Sequence, residues 1–155
     1  MKFVDTQVVF EEIPDEITLC INVSNCVFHC PDCHSKHLWK DIGNILDEKS
    51  IDELIEKNKG ISCVCFMGHG GYGGWIDIRD FARYIKEKNK EMKVALFSGN
   101  EKLPLNDLVD FDYVKTGSYI AELGPLNSPT TNQRMYKNIG NGKWEDITKN
   151  YQIKK

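Results

Sequence analysis

Three cysteines fall within eight residues: the stretch reads Ser24-Asn25-Cys26-Val27-Phe28-His29-Cys30-Pro31-Asp32-Cys33-His34. Thiolates with gaps of three and two residues can wrap a cubane iron–sulfur cluster from one short loop, holding three irons and leaving the fourth open to a chelating ligand. The same residues admit other chemistry. Cys26, Cys30 and Cys33 with His34 or His37 would complete a tetrahedral zinc site. Cys30-Pro31-Asp32-Cys33-His34 also matches the CxxCH pattern of covalent haem attachment, and its CxxC core matches a thiol–disulfide exchange motif. A second chemical feature follows some thirty residues on, in Met67-Gly68-His69-Gly70-Gly71-Tyr72-Gly73-Gly74. Glycine there lets backbone approach a ligand closely, although composition alone describes a surface loop equally well. Leu96-Phe97-Ser98-Gly99 is a third, shorter feature of the same kind, which a structural turn explains nearly as well.

The segments that must position these residues are legible from periodicity. Residues 17–23, 61–67 and 93–97 are nearly continuous apolar runs, with a shorter one at 112–115. Continuous rather than alternating patterns predict strands covered on both faces. Between them lie two helical stretches. One starts at a capping box of Ser50 and Glu53, with Ile51, Leu54 and Ile55 on one side. The other runs from about Ile76 to Lys88 on a stripe of Ile78, Phe81, Ala82 and Ile85. A third, shorter helix is expected after Pro104. Residues 3–10 read as an extra edge strand. Residues 134–139 and 143–148 flank Gly140-Asn141-Gly142 as a hairpin. Strand–helix alternation of this kind predicts an α/β fold with a parallel sheet, right-handed crossovers and a C-terminal hairpin. Residues 1–155 read as one domain.

The cysteine loop directly follows the first buried strand, the Gly-rich stretch follows the second, and Ser98 ends the third. In this order the segments resemble the radical S-adenosylmethionine (SAM) enzymes. The form Cys-x-x-x-Cys-Pro-x-Cys-His is similar to the glycyl radical activases of anaerobic ribonucleotide reductases. Their tail is also similar to the run from Asp112 through Leu123-Gly124-Pro125-Leu126 to Thr130-Thr131-Asn132-Gln133-Arg134-Met135-Tyr136, so the likeness covers about residues 17–139.

The resemblance implies an incomplete (β/α) barrel and a 4Fe-4S cluster on Cys26, Cys30 and Cys33. It also implies S-adenosyl-L-methionine held around Asp32, His34, Gly68, Gly70, Gly71 and Ser98. The family's Gly-Gly-acid motif is altered here: Tyr72 follows Gly70-Gly71, and the nearest downstream carboxylate is Asp77. Backbone carbonyls are left to hold the SAM ammonium. No side chain is assigned a catalytic role beyond the cluster and SAM. The implied reaction is reductive cleavage of SAM to methionine and a 5′-deoxyadenosyl radical, which takes a hydrogen atom from a partner glycine. The implied partners are the large subunit of anaerobic ribonucleotide reductase and a reducing donor such as flavodoxin or ferredoxin. A different glycyl radical enzyme, or a peptide to be modified, is the alternative within this chemistry. A zinc-stapled interaction module is the alternative outside it.

Composition bounds the rest. The chain has 155 residues, 41% hydrophobic and 28% charged, which is the profile of an ordinary globular domain. Its net charge of −3 argues against nucleic acid or an anionic membrane held by bulk electrostatics. Four acidic residues, Glu11, Glu12, Asp15 and Glu16, interrupt the N-terminal segment, so no signal-peptide core is expected and the cytoplasm is the expected location. Cys20, Cys63 and Cys65 lie inside apolar runs and are expected to be buried thiols acting as small hydrophobes. Trp75 and Trp144 are expected to pack rather than contact a cofactor, and so is Trp39.

Overall fold

The computed structural model describes residues 1–24, 42–68, 74–99, 103–118 and 120–152. Four strands form the parallel centre: β2 (Thr18–Val23), β4 (Cys63–Met67), β5 (Lys93–Phe97) and β6 (Tyr113–Thr116). They arise where the sequence runs apolar without alternation. The pleat sends successive side chains to opposite faces, and here both faces are buried. Leu19, Ile21, Val64, Phe66, Val94, Leu96 and Val114 point to one side. Cys20, Cys63, Cys65, Ala95, Phe97 and Tyr113 point to the other.

The first side is covered by α1 (Glu48–Lys57) and α2 (Gly74–Lys88), which contribute Ile51, Ile78, Ala82 and Ile85, with Leu108 and Phe111 completing the layer. The helix-start signal lies one turn earlier than the Ser50–Glu53 pair. Asp47 is the N-cap, its side chain accepting from the Ser50 N–H at 2.8 Å, while Ser50 Oγ accepts from the Asp47 N–H at 2.8 Å. The Ser50 backbone N–H holds the Asp47 carboxyl below the ordinary aspartate range. A depressed carboxyl contributes stability above the unfolded-state pKa and loses it as pH falls through the folded-state value. Asp47→Ala is therefore expected to lower the thermal midpoint at neutral pH, and the difference from wild type should shrink on acidification; melts across an acid pH series check this.

The expected incomplete (β/α) barrel of the radical SAM type, a parallel sheet with a C-terminal hairpin, is not what forms. The sheet is open, eight-stranded and mixed, in the order β3-β1-β2-β4-β5-β6-β7-β8. β1 (Lys2–Val9) joins β2 antiparallel, and β3 (Asn44–Ile45) joins β1 antiparallel. At the far end β7 (Arg134–Gly140) joins β6 antiparallel and β8 (Lys143–Asp146) follows as a hairpin. A (β/α) barrel needs a helix after each strand to return the chain in parallel. The described residues hold two α-helices for eight strands. After Pro104, where a third helix is expected, Leu105–Asp107 makes only a 3-10 turn. The outer strands β1, β3, β7 and β8 pair antiparallel, which opens the sheet at both ends.

The hairpin turn is as the sequence predicts, with Asn141 at φ 56° and Gly142 at φ 73°, the left-handed pair that a two-residue turn requires. Asp112 ties this end together. Its Oδ2 accepts from the Val94 N–H at 2.9 Å and pairs with Lys86 of α2 at 2.6 Å, while its carbonyl accepts from Asn138 N at 2.9 Å.

On the face away from α1 and α2 no α-helix packs among the described residues; a 3-10 turn, Thr148–Tyr151, lies there instead. Ile13 from the N-terminal segment and Ile147 and Tyr151 from the C-terminal one cover Cys20, Cys63, Cys65 and Met135. The Tyr151 hydroxyl donates to the Glu12 carbonyl at 2.9 Å and joins the two segments. Among the described residues no helix is long and apolar enough to cross a membrane.

Candidate functional site

The parallel strands are in register, so their carboxyl ends form a level edge. Asn22 of β2 lies beside Met67 of β4, Met67 beside Phe97 of β5, and Phe97 beside Lys115 of β6. One residue further on, each strand hands over to a loop. Ser24 leads to the cysteine loop, Gly68 to the Gly-rich loop and Ser98 to the third anchor. Loops leaving the carboxyl ends of parallel strands are where α/β sheets build their sites. The three sequence features therefore start from neighbouring points.

Local bonds hold these exits in place. The Ser24 N–H donates to the Lys2 carbonyl at 3.0 Å, Gly68 N–H to Phe97 O at 3.3 Å, and Ser98 N–H to Lys115 O at 2.9 Å. Gly68 has φ +96°, and a Cβ built on it would stand 2.7 Å from Val23 O. Only glycine allows the β2 and β4 backbones to come this close. Ser98 is buried. Of the residues expected at the site, Gly68 and Ser98 are brought to this edge. Cys26, Cys30, Cys33, Asp32, His34, Gly70 and Gly71 lie outside the described residues, as do Tyr72 and Trp39. Asp77, the nearest carboxylate after the glycines, stands exposed in the first turn of α2.

Several residues at the same edge were assigned no role from the sequence. Lys115 shares the face of Met67 and Phe97, with its Nζ 4.9 Å from the Phe97 ring centroid. Burial pushes its ammonium below the ordinary lysine range. The available signal was a lysine in the middle of an apolar strand, on the side opposite Val114. Beyond β6 the chain turns at Gly117, φ +101°, and is clamped by the returning strand. Gln133 Nε2 donates to Gly117 O at 3.2 Å and Asn132 Nδ2 to Ser118 O at 3.0 Å. These bonds close the neck of the loop between β6 and β7, so that loop is built as part of this edge.

The isolated cysteines are buried, as the sequence predicts. Cys20, Cys63 and Cys65 are free thiols on the face away from the helices. Burial pushes Cys63 up to about 12 and holds Cys65 protonated. Such thiols are poor metal ligands, because the ligand is the thiolate. Among the described residues no three His, Cys, Asp or Glu side chains meet in a group that could hold a metal. Of the six cysteines, Cys20, Cys63 and Cys65 are thus committed to the sheet core, and Cys26, Cys30 and Cys33 lie outside the described residues. Three soft thiolate donors spaced along one loop, rooted at a glycine-permitted close approach of two strands, fit a cluster better than they fit a hard cation. Trp75 and Trp144 pack against the core, in keeping with the sequence reading.

A model of the 4Fe-4S single cluster domain matches residues 17–122, from just before β2 to just past β6. The matched span includes the cysteine loop, the Gly-rich loop and Ser98. Terrelysin of Aspergillus terreus is 30% identical to this chain over 104 residues, covering 64% of this chain and 63% of its own length. The chain thus spans less than two thirds of that relative. No solved structure matches the chain.

Proposed function

The chain belongs to the 4Fe-4S single cluster domain family, and on that premise we propose that it is a radical SAM activase of anaerobic ribonucleotide reductase. Cys26, Cys30 and Cys33 would hold the cluster, with SAM bound beside it. The observation that carries this reading is the level carboxyl edge at which Ser24, Gly68 and Ser98 stand side by side. When bound, the cluster and SAM together supply a one-electron reductive cleavage of a carbon–sulfur bond.

The chain's own residues bind, orient and shelter. Gly68, Gly70 and Gly71 offer backbone to the SAM ammonium where a side chain would intrude. Asp32 and His34 flank SAM from the cysteine loop, and Ser98 approaches it from β5. The apolar side chains of Met67 and Phe97 keep water from the edge. The large subunit of the reductase presents its glycine to the same edge, and a flavodoxin or ferredoxin delivers the electron. In this reading the protein acts in the cytoplasm as a single domain.

Anaerobic iron and sulfide analysis, followed by EPR of the dithionite-reduced protein with and without SAM, tests this. The expected result is about four irons per chain, a signal that changes on adding SAM, and a glycyl radical on the reductase subunit after mixing. Stoichiometric zinc, or a cluster indifferent to SAM, would overturn the reading in favour of a zinc-stapled interaction module. SAM cleavage without a radical on the reductase would assign the chain to a different glycyl radical enzyme or to peptide modification.

A further inference from the structure

Lys86 and Lys88 of α2 and Lys93 of β5 each have an aspartate carboxylate within 4.0 Å. Lys115 has none. Among the described residues no carboxylate comes within ion-pair distance of its ammonium, although β6 carries the side chain half-buried on the face covered by the chain ends. The neighbours that could neutralise it do not. Burial keeps the Cys65 thiol protonated. Glu12 acts on Lys115 only through its longer-range field, and its carboxylate accepts from the Glu11 N–H at 3.3 Å. What the ammonium does touch is the Phe97 ring, with Nζ 4.9 Å from the centroid. A ring face orients an ammonium without cancelling its charge. Taking that charge partly out of water with no anion beside it costs stability, and proteins carry such costs at functional sites.

We propose that Lys115 is a positioning residue that takes the carboxylate of SAM. The assignment rests on the radical SAM reading above. Of the charged groups of SAM, the sulfonium and the ammonium are repelled by a lysine, and only the carboxylate is attracted. The glycines after β4 offer backbone to the ammonium, and none of the motif residues is a fixed cation for the carboxylate. Lys115 supplies that cation. Met67, Phe97 and Lys115 stand in one row across β4, β5 and β6, and the lysine leans over Phe97, which brings its ammonium back toward the middle of the row. Its backbone is tied to the third anchor, since the Ser98 N–H donates to the Lys115 carbonyl at 2.9 Å. A charge-assisted bond from the ammonium holds the carboxylate end of SAM against this row, and the same bond gives the half-buried charge the partner it lacks.

Equilibrium dialysis of the anaerobically reconstituted full chain tests this, against SAM and against decarboxylated SAM, which keeps the sulfonium and the ammonium. Lys115→Met preserves an unbranched stem and removes the charge. It should raise the dissociation constant for SAM about 10- to 100-fold, the loss that goes with a hydrogen bond to a charged group, while iron content stays unchanged. Decarboxylated SAM should bind both proteins weakly, and Lys115→Met no worse than wild type. Lys115→Arg keeps the charge and should recover SAM binding to within about fivefold of wild type. Without ligand, Lys115→Met should melt higher than wild type, because an uncompensated charge has left the interior. An unchanged SAM constant in Lys115→Met overturns the assignment. An equal loss for SAM and decarboxylated SAM also overturns it, since Lys115 would then shape the pocket without reading the carboxylate. A lower melting temperature does the same, because the ammonium would already be paired within the free chain. Wild-type protein that carries a cluster and binds no SAM would instead sink the radical SAM reading itself, a failure visible before any variant is made.

Discussion

Cys30→Ala is expected to reduce the iron content of the anaerobically reconstituted protein from about four per chain to well below one, and to remove SAM cleavage altogether. Cys30 is the middle of the three thiolates, and the remaining two ligands, four residues before it and three after it, cannot close a three-iron grip without it. Overall folding should survive. Among the described residues, both faces of the sheet carry an extensive core of strand and helix side chains. The variant should therefore keep its far-UV circular dichroism while its iron, sulfide and EPR signal disappear. Cys63→Ala is the matched control. That thiol is fully buried between strands, so its loss should lower stability by about 1–2 kcal/mol through the lost methylene-sized packing. Its iron content should stay at the wild-type level. If Cys30→Ala retains its cluster, or Cys63→Ala loses it, the ligand assignment is wrong.

Gly68→Ala should cost both stability and the site. The position has φ +96°, which any other L-residue adopts at about 1–2 kcal/mol. The added Cβ would also stand 2.7 Å from the Val23 carbonyl, a backbone atom that moves only if β2 moves. The combined destabilisation is expected at about 2–4 kcal/mol, read by urea or thermal unfolding. The larger effect is functional, because the substitution pries apart the exits of the cysteine loop and the Gly-rich loop. Cluster content should be near normal, while the EPR response to SAM weakens by about tenfold or more, as misplacements of this size do to reacting groups. Gly60→Ala separates strain from crowding. Gly60 has φ +97° but nothing within 4 Å of the added carbon, so only the smaller backbone cost is expected and the SAM response should be unchanged. Equal behaviour of the two variants would remove the argument for close approach at the β2–β4 exit.

Much of this was written locally. The β2, β4 and β5 strands show as unbroken apolar runs because the residues on both faces are buried. Ile78, Ala82 and Ile85 recur at helical spacing because α2 buries one stripe. Asn141-Gly142 marks its turn because both positions need positive φ. Cys20, Cys63 and Cys65 announced themselves as core by their apolar neighbours. The cysteine spacing and the glycines after β4 named the chemistry, and the family match over residues 17–122 carries the cluster part of that reading.

Other features had no local trace. Lys115 is placed at the edge by the register of β5 against β6, and strand register is a long-range quantity. The third helix after Pro104 failed because three residues of 3-10 turn suffice to bring β6 back beside β5.

The amino-acid sequence by itself determined the central strands, the two α-helices, the hairpin turn and which of the described thiols are buried. Those properties depend on side chains a few residues apart, so each segment carries its own instruction. Only the tertiary structure decided that the sheet stays open and mixed, and that its second face is covered by the two chain ends instead of by helices. A run of apolar residues states that a face must be covered and is silent on what covers it. The Tyr151 hydroxyl bonded to the Glu12 carbonyl supplies the cover from opposite ends of the chain. A contact of that separation is chosen by the fit of the whole fold, because no pattern in either segment encodes the other.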